Sequence, residues 1–299
     1  MENGSSSPHR ASLTVPDGNP GRILLYHSTF EEAPACLGTK LHNVRPEQVL
    51  RQADWLQQNH DLISAEEMAG LEDVRGKAAI TFDDAYLCIF HETIPELLKR
   101  GIPVTVFVNS AHLSGQPFWR DLVRILITNR LEAEFLASPQ AESFRKQVRA
   151  ERLYRDSKKP AVNSGTFQKA LLSFLEDRKL QQDGERFLAL WDELPTHPLL
   201  RYGNHSHSHP VLSSLTRDEQ EQEITTCRDR LTQRLDTSSI SPLFAVPFGG
   251  SHDVNRDSLH TLQRSGCSTL LMSRMAYNEQ PCRQEGVRIL EREMAPEHS

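Results

Sequence analysis

Short apolar runs rich in β-branched residues alternate with longer amphipathic segments along most of the chain. Six runs bounded by turn residues predict buried strands at 23–27, 78–82, 104–108, 243–247, 268–272 and 287–290. Helical patterns fall between them at 46–59, 92–100, 216–235 and 254–265. Strands that alternate with helices predict parallel pairing, and hence an α/β sheet or barrel whose function lies at the carboxyl ends of its strands.

One long segment interrupts this alternation. Residues from about 119 to 195 are charged and mostly helix-forming, which predicts a helical insertion. Residues 1–21 are polar and rich in Ser, Pro and Gly, without the apolar stretch of a secretion signal, so we expect a disordered leader. These limits predict one domain at 22–292, followed by a flexible tail at 293–299.

Charge and cysteine usage narrow the classes of function. The chain has 34 basic and 40 acidic residues and no basic block, so we expect no nucleic-acid partner. Its five cysteines are scattered without C-x-x-C spacing, which favours a reduced protein. No apolar run approaches the roughly 20 residues that span a bilayer. We therefore expect no transmembrane segment and a cytoplasmic location, with the inner face of the membrane as an alternative.

Two adjacent carboxylates, Asp83 and Asp84, follow the second predicted strand. Side chains alternate faces at a strand end, so one carboxylate could bind a metal while the other accepts a proton. The alternative is structural, because an Asp just after a strand often caps the helix that follows. Taken alone, the pair slightly favours the capping role.

Three histidines at alternate positions, His205, His207 and His209, stand between a Gly-Asn turn signal and Pro210. An extended segment would put all three on one face, whereas a helical turn would put only the outer two together. Pro210 disfavours a helical conformation at His209, so we expect a loop or an irregular turn. The alternative is a polar surface loop. Three histidines so closely spaced, in a chain that also has the Asp83–Asp84 pair at a strand end, favour a metal site instead. One Asp with two His suits a catalytic Zn²⁺ or a related ion.

Three stretches together resemble the successive motifs of the polysaccharide deacetylases, the NodB-homology or carbohydrate esterase family 4 enzymes. They are ITFDDAY at 80–86, GNHSHSHPVL at 203–212 and FAVPFGG at 244–250. The resemblance covers roughly residues 22–290. It implies a distorted (β/α) barrel with a helical insertion, and metal-dependent removal of N-acetyl groups from a polymeric or carrier-linked amino sugar.

The resemblance also implies a role for each motif position. Asp83 would be the catalytic base, and Asp84, His205 and His209 would hold a divalent metal, with His207 as a spacer. Zn²⁺ is the expected ion, with Co²⁺, Ni²⁺ or Mn²⁺ as alternatives. The positions that would contact the carbohydrate are Pro247, Phe248 and Tyr86.

Three features depart from the family pattern. Ala85 replaces the usual Gly, which is a small residue for a small residue. Ala245 replaces the Arg that orients the base, and no late L-x-H motif supplies a catalytic acid. One branch of the family carries a Y-H motif on its first strand, so we expect His27 to be the acid. Taken alone, His27 would be better explained as a buried or partly buried histidine with a satisfied hydrogen bond, and it is the other motifs that favour the functional role.

Two other functions remain open at the level of the sequence. A carbohydrate-binding pseudoenzyme could have kept the fold and lost catalysis with the missing Arg. A deacylase or amidohydrolase could act on a small non-sugar amide, but its H-x-H pattern belongs on the first strand, and here the histidines lie two-thirds of the way along the chain.

Overall fold

The computed structural model describes residues 13–180, 186–280 and 282–297 of the 299-residue chain. Residues 1–12 of the predicted leader lie outside this part. Residues 13–21 are ordered, contrary to the expected disorder. Leu13 packs against the core, and the carbonyl of Thr14 accepts a hydrogen bond from Arg22 at 2.7 Å. The division of the chain into leader, domain and tail otherwise stays a prediction.

A single curled sheet forms the centre of the protein. Its path runs β10–β1–β3–β4–β5–β6–β7–β9–β8, with β2 pairing beside β3. All of its pairings are parallel except that of β8 with β9. The strands are β1 Arg22–Tyr26, β2 Asp61–Leu62, β3 Lys77–Asp83, β4 Val104–Val108, β5 Leu200–Asn204, β6 Ile240–Ala245, β7 Thr269–Met272, β8 Cys282–Gln284, β9 Val287–Glu291 and β10 Glu293–Met294.

The last strands of the chain, β9 and β10, connect the two ends of the parallel sheet, β7 and β1. β9 pairs with β7 and β10 pairs with β1, and only Arg292 separates the two short strands. The backbone of Arg292 remains hydrogen-bonded to the sheet, because its N–H donates to the carbonyl of Met272 in β7 at 2.9 Å. This curled parallel sheet with its helices confirms the predicted distorted (β/α) barrel.

The expected flexible tail is wrong for residues 293–297. β10 lies in the sheet, and the N–H of Ala295 donates to the carbonyl of Leu25 at 3.0 Å. The carbonyl of Pro296 accepts hydrogen bonds from the side chains of Gln48 and Gln52, on the helix Pro46–Asn59, at 3.1 and 2.9 Å. These bonds satisfy backbone groups that a free tail would leave to water. Residues 298 and 299 lie outside the described part.

Helices cover the outside of the sheet between successive strands. In the order of the chain they are α1 Pro46–Asn59, α2 Ala65–Gly70, α3 Ile94–Lys99, α4 Trp119–Thr128, α5 Glu132–Ala137, α6 Leu153–Asp156, α7 Ser164–Glu176, α8 Arg217–Arg234 and α9 Arg256–Arg264. The capping box predicted at the start of α8 is present, since Thr216 and Glu219 hydrogen-bond each other's backbone N–H. None of the helices in the described ranges is long and apolar enough to cross a membrane.

The helices α4 to α7 lie between β4 and β5, where the insertion is predicted. They have an aromatic core of their own, in which the ring of Phe135 packs edge-on against those of Phe167 and Phe174 with centroids 5.6 and 5.2 Å apart. The returning chain lies against the end of β3, because the N–H of Ala189 donates to the carbonyl of Ala85 at 3.0 Å. The insertion is therefore packed directly against the carboxyl ends of the strands.

Candidate active site

The two carboxylates leave β3 on a strained turn. Asp83 is the last residue of the strand, and Asp84 and Ala85 have φ angles of 69° and 57°, in the left-handed region that non-glycine residues seldom adopt. The N–H of Asp84 still donates to the carbonyl of Phe107 in β4, at 3.0 Å. The helical turn that follows at Ile89–Thr93 has no side-chain cap. The capping alternative therefore has no support in the structure, and both carboxylates are turned inward.

The histidine segment follows β5 as an irregular turn, as its proline predicts. His209 has a φ of 59° and Ser206 a φ of 68°. The turn brings the rings of His205 and His209 together, with centroids 4.8 Å apart. His207 points away from them, and its Nδ1 lies 2.7 Å from the hydroxyl of Ser110. The outer two histidines thus share a site that the middle one does not enter.

Strained backbone is concentrated around these residues. Ten non-glycine residues of the described chain have a positive φ, and five of them lie here. Residues in such conformations cost on the order of 1–3 kcal/mol each and persist where the surrounding structure holds them, often at functional sites. The five are Asp84, Ala85, Ser206, His209 and Phe248.

Asp84, His205 and His209 form a group that could hold a metal ion. One ligand atom from each lies within 4.8 Å of the others, and all three residues are buried. The Oδ1 of Asp84 lies 3.6 Å from Nε2 of His205 and 3.4 Å from Nε2 of His209. Bonds of about 2.0–2.2 Å at tetrahedral angles separate neighbouring ligand atoms by roughly 3.4 Å. The two separations between Asp84 and the histidines are therefore close to those of atoms that share one ion.

The hydrogen bonding of these atoms also suits a metal. Oδ1 of Asp84 and Nε2 of His205 are buried without a hydrogen-bond partner in the described structure, which is costly unless something else binds them. Nδ1 of His205 lies 2.8 Å from the carbonyl of Ala245, which can only accept, so Nδ1 carries the proton. Nε2 of His205 is then a bare lone pair that faces the carboxylate, as a ligand must.

Asp83 has a different partner, Arg292, which no motif in the sequence predicts. Both of its oxygens accept hydrogen bonds from the guanidinium of Arg292, at 2.7 and 2.8 Å, and the two side chains are 3% and 0% exposed. Burial alone would raise the pKa of Asp83, but Arg292 and then His205 outweigh it and hold that pKa below its usual value. Arg292 thus supplies the guanidinium beside Asp83 that the family pattern would place at position 245, where this chain has Ala245.

The pKa values of the neighbouring carboxylates, Asp83 and Asp84, are consequently shifted in opposite directions. Burial and the charge of Asp83 raise the pKa of Asp84 well above its usual value. Asp84 therefore resists ionisation until a cation compensates it, whereas Asp83 stays ionised beside Arg292. Two adjacent residues of one type are thereby fitted to two tasks.

His27 directly follows β1 and lines the same cleft as both carboxylates. Its Nδ1 lies 3.2 Å from Nδ1 of His42, whose Nε2 donates to the carbonyl of Ala295 at 2.9 Å. With His42 neutral, its Nδ1 is an acceptor, so Nδ1 of His27 donates and Nε2 of His27 is unprotonated. Burial, then repulsion by His42, lowers the pKa of His27 well below its usual value.

The three predicted substrate contacts are placed differently. Phe248 lines a cleft of about 460 Å³ together with Asp83, Asp84 and His209. Tyr86 is fully buried below it, and its hydroxyl donates to Asp121 at 2.7 Å. Pro247 is buried as well. Neither Tyr86 nor Pro247 belongs to the described lining of the cleft, so only Phe248 is positioned to touch a bound molecule.

Comparison with known proteins gives a similarity to one family over part of the chain, and a fold for most of it. A family model described as polysaccharide deacetylase matches residues 196–269, the segment that contains both candidate histidine ligands. No curated protein matches the chain significantly in sequence.

Several solved structures share the fold at low sequence identity. Streptococcus pyogenes deacetylase PplD in complex with acetate is 15% identical, with 93% of each chain covered and a TM-score of 0.53. IcaB from Ammonifex degensii is 15% identical, with 93% of this chain and 92% of that chain covered and a TM-score of 0.53. A de-N-acetylase from Aggregatibacter actinomycetemcomitans is 13% identical, with 94% and 96% covered and a TM-score of 0.56. At such identities these similarities establish the fold alone.

The family model matches where β5 delivers the paired histidines, and the fold that carries them is that of the NodB-type deacetylases. Over residues 196–269, therefore, the chain is similar to the polysaccharide deacetylase family.

Proposed function

We propose that this protein is a metal-dependent hydrolase that removes N-acetyl groups from an amino-sugar-containing glycan or glycan precursor. The family and the fold support deacetylase activity on a glycan. The observation that carries the finer proposal is the convergence of Asp84, His205 and His209 beside the Asp83–Arg292 pair, at a cleft that Asp83, Asp84 and His209 line.

Asp84, His205 and His209 would hold the metal, and the two-histidine, one-carboxylate donor set suits Zn²⁺. When bound, the ion would supply a Lewis acid that lowers the pKa of water and polarises the amide carbonyl. His205 is oriented for this role by its Nδ1–H bond to Ala245.

Asp83 would accept the proton of the attacking water. Nε2 of His205 lies 3.5 Å from Oδ2 of Asp83, so the proposed base adjoins the proposed metal ligands. Arg292 keeps Asp83 ionised across the working pH range and fixes the direction of its oxygens. The pseudoenzyme alternative rested on a missing arginine, and Arg292 removes that basis.

His27 would deliver a proton to the leaving amine nitrogen. A neutral amine leaves only if its nitrogen is protonated, so amide cleavage needs such a donor. In the tautomer described above, Nε2 of His27 is a lone pair, and the lowered pKa favours the neutral ring. His27 would therefore take up a proton, the one that the attacking water releases to Asp83, before it protonates the nitrogen.

The two carboxylates provide the test. Acetate release from N-acetylglucosamine oligomers and from carrier-linked N-acetyl sugars should be measured together with the metal content of each variant. Asp84→Asn should lose both metal and turnover, because it removes a charged ligand. Asp83→Asn should keep the metal and lose turnover by at least about 10²-fold, the lower range for a general base.

Asp73→Asn is a suitable control, since Asp73 is exposed and pairs only with the exposed Arg75. It should match the wild type in both measurements. If Asp83→Asn and Asp84→Asn have the same metal content and the same residual activity, the proposed division of roles is wrong.

A further inference from the structure

Arg120 stands out among the buried arginines of the described chain. Five arginines are buried there, and four of them face a carboxylate within ion-pair distance. Arg120, which is 2% exposed, has no carboxylate within that distance among the described residues. The paired arginines are Arg22 with Glu293, Arg124 with Asp121, Arg288 with Glu72 and Arg292 with Asp83.

The guanidinium of Arg120 is nevertheless held firmly in place. It donates to the hydroxyl of Ser157 at 2.9 Å and to the carbonyl of Tyr154 at 3.1 Å. Its central carbon lies 4.6, 4.5 and 5.4 Å from the ring centroids of Trp119, Tyr154 and Phe248. A buried cation without a counter-ion costs stability, and the neutral groups around Arg120 orient its charge without cancelling it.

A second cation lies beside Arg120. Nζ of Lys158 is 5.1 Å from the ring of Tyr154 and 5.3 Å from that of Phe248, and among the described residues it has no carboxylate within ion-pair distance. Burial, then repulsion by Arg120, lowers the pKa of Lys158 to about 8, although Asp253 acts on it from further away. Burial raises the pKa of Tyr154, but the surrounding cations outweigh burial and lower that pKa to about 8. This wall of the cleft is therefore positive.

Both cations line the cleft that contains the candidate metal ligands. Phe248 connects the two regions, because its ring packs edge-on against His209 at a centroid distance of 4.7 Å while its other contacts include Arg120 and Lys158. A molecule whose amide lies at Asp84 and His209 can therefore extend across Phe248 to the two cations.

We propose that Arg120 and Lys158 form an oxyanion subsite, and that the substrate is an N-acetylated sugar that carries a phosphate ester or a carboxylate. This proposal rests on the proposed function. A guanidinium binds phosphate or carboxylate oxygens with charge-assisted hydrogen bonds, and an ammonium adds a second positive charge. A neutral glycan would leave both charges in this wall of the cleft uncompensated.

The test compares three N-acetyl sugars on the metal-loaded, full-length protein. They are N-acetylglucosamine 1-phosphate, N-acetylmuramic acid, which has a carboxylate, and the neutral methyl glycoside of N-acetylglucosamine. Hydrogen bonds to charged groups contribute about 1.5–3 kcal/mol, so at least one anionic sugar should exceed the neutral one in kcat/KM by roughly tenfold to a hundredfold. The preferred anion distinguishes a phosphate from a carboxylate substrate.

Variants connect this preference to the two cations. Lys158→Gln and Arg120→Gln should each lower the ratio of anionic to neutral kcat/KM by about tenfold or more. Arg155→Gln, at an exposed position of α6 that does not line the cleft, is the matched control and should keep the ratio. Lys158 is only half-buried, so its variant serves as the test if Arg120→Gln does not fold.

Binding measured by calorimetry separates a failure of this subsite from a failure of the proposed function. If no sugar releases acetate but an anionic sugar binds at least about tenfold more tightly than the neutral one, and Lys158→Gln removes that difference, the subsite stands and the deacetylase proposal fails. Equal binding and equal turnover of all three sugars would overturn the subsite. A preference that survives in both variants would also overturn it.

Discussion

Replacing Arg292 with Gln should destabilise the protein in a way that depends on pH. The substitution leaves the carboxylate of Asp83, 2% exposed, without the two hydrogen bonds of 2.7 and 2.8 Å that neutralise it. Removing one partner of a buried ion pair typically costs about 3–5 kcal/mol, because the other charge remains buried. That loss is large compared with the roughly 5–15 kcal/mol by which domains are stable.

The sign of the pH dependence follows from the pKa of Asp83. In the wild type this pKa is lowered, so the stabilising contribution is present above the unfolded value, about 3.9, and is lost as the pH falls through the folded value. Without Arg292, burial raises the pKa instead. The variant then loses stability as the pH rises through the raised value. The deficit of Arg292→Gln should therefore be smaller near pH 4 than near pH 7.

Urea unfolding from about pH 4 to about pH 8, with a chelator so that metal binding does not contribute, measures this deficit. Asp83→Asn in the Arg292→Gln background should recover much of the lost stability at neutral pH, because it removes the unpaired charge. Arg75→Gln, which disrupts only the exposed pair with Asp73, should leave the free energy of unfolding nearly unchanged. A deficit that is absent at neutral pH, or equally large near pH 4, would refute this reasoning.

Three further predictions concern the histidines and the metal. His205→Ala and His209→Ala should purify largely without metal while His207→Ala retains it, and equal metal loss in all three would contradict the ligand set. Saturating metal should raise the melting temperature by on the order of 10 °C over chelated protein. This difference in melting temperature should widen as the pH rises. The pKa of Asp84 is raised, so the metal-free fold loses stability as the pH rises through that pKa. Because the pKa of His27 is lowered, kcat/KM should stay level as the pH rises through the neutral range, and His27→Gln should reduce amide turnover by at least about 10²-fold. A descending limb in this range that His27→Gln removes would instead show that His27 must enter the reaction already charged.

The strands that could be predicted from the sequence are those whose residues are buried on both faces. β4 has the predicted limits of 104–108 and is buried throughout, and α1 has the predicted limits of 46–59. β5 was missed, because Arg201 and Gly203 interrupt its apolar pattern. Gly203 is required by packing, since a Cβ there would lie 2.4 Å from the ring of Phe107. The regular spacing of strands and helices was the signal that a strand should precede the histidines.

The candidate site was predictable where its residues are neighbours in sequence. Asp83 with Asp84, and His205 with His209, form local patterns whose geometry follows from one strand end or one turn. Arg292 could not be found in this way, because 209 residues separate it from Asp83 and its own neighbours suggest only a charged end of the last strand. Tyr86 belongs to a matching motif but is buried beneath the cleft, since motif membership does not specify which way a side chain points.

The position of Arg292 follows from the closure of the sheet. In a closed parallel barrel the carboxyl ends of all strands meet at one face. A positive side chain that pairs with Asp83, at the end of β3, can therefore come from the end of any strand that reaches the Asp83 carboxylate. β9 pairs with β7 and β10 pairs with β1, and Arg292 lies in the break between them, where its side chain reaches Asp83. Its guanidinium also donates to Ser273, just beyond β7, at 3.1 Å, which ties the closing strand to its neighbour. Arg292 therefore both holds the proposed base and lies where the barrel closes. Its substitution should affect turnover and stability together. Asp83→Asn, by contrast, removes the base but leaves no unpaired carboxylate.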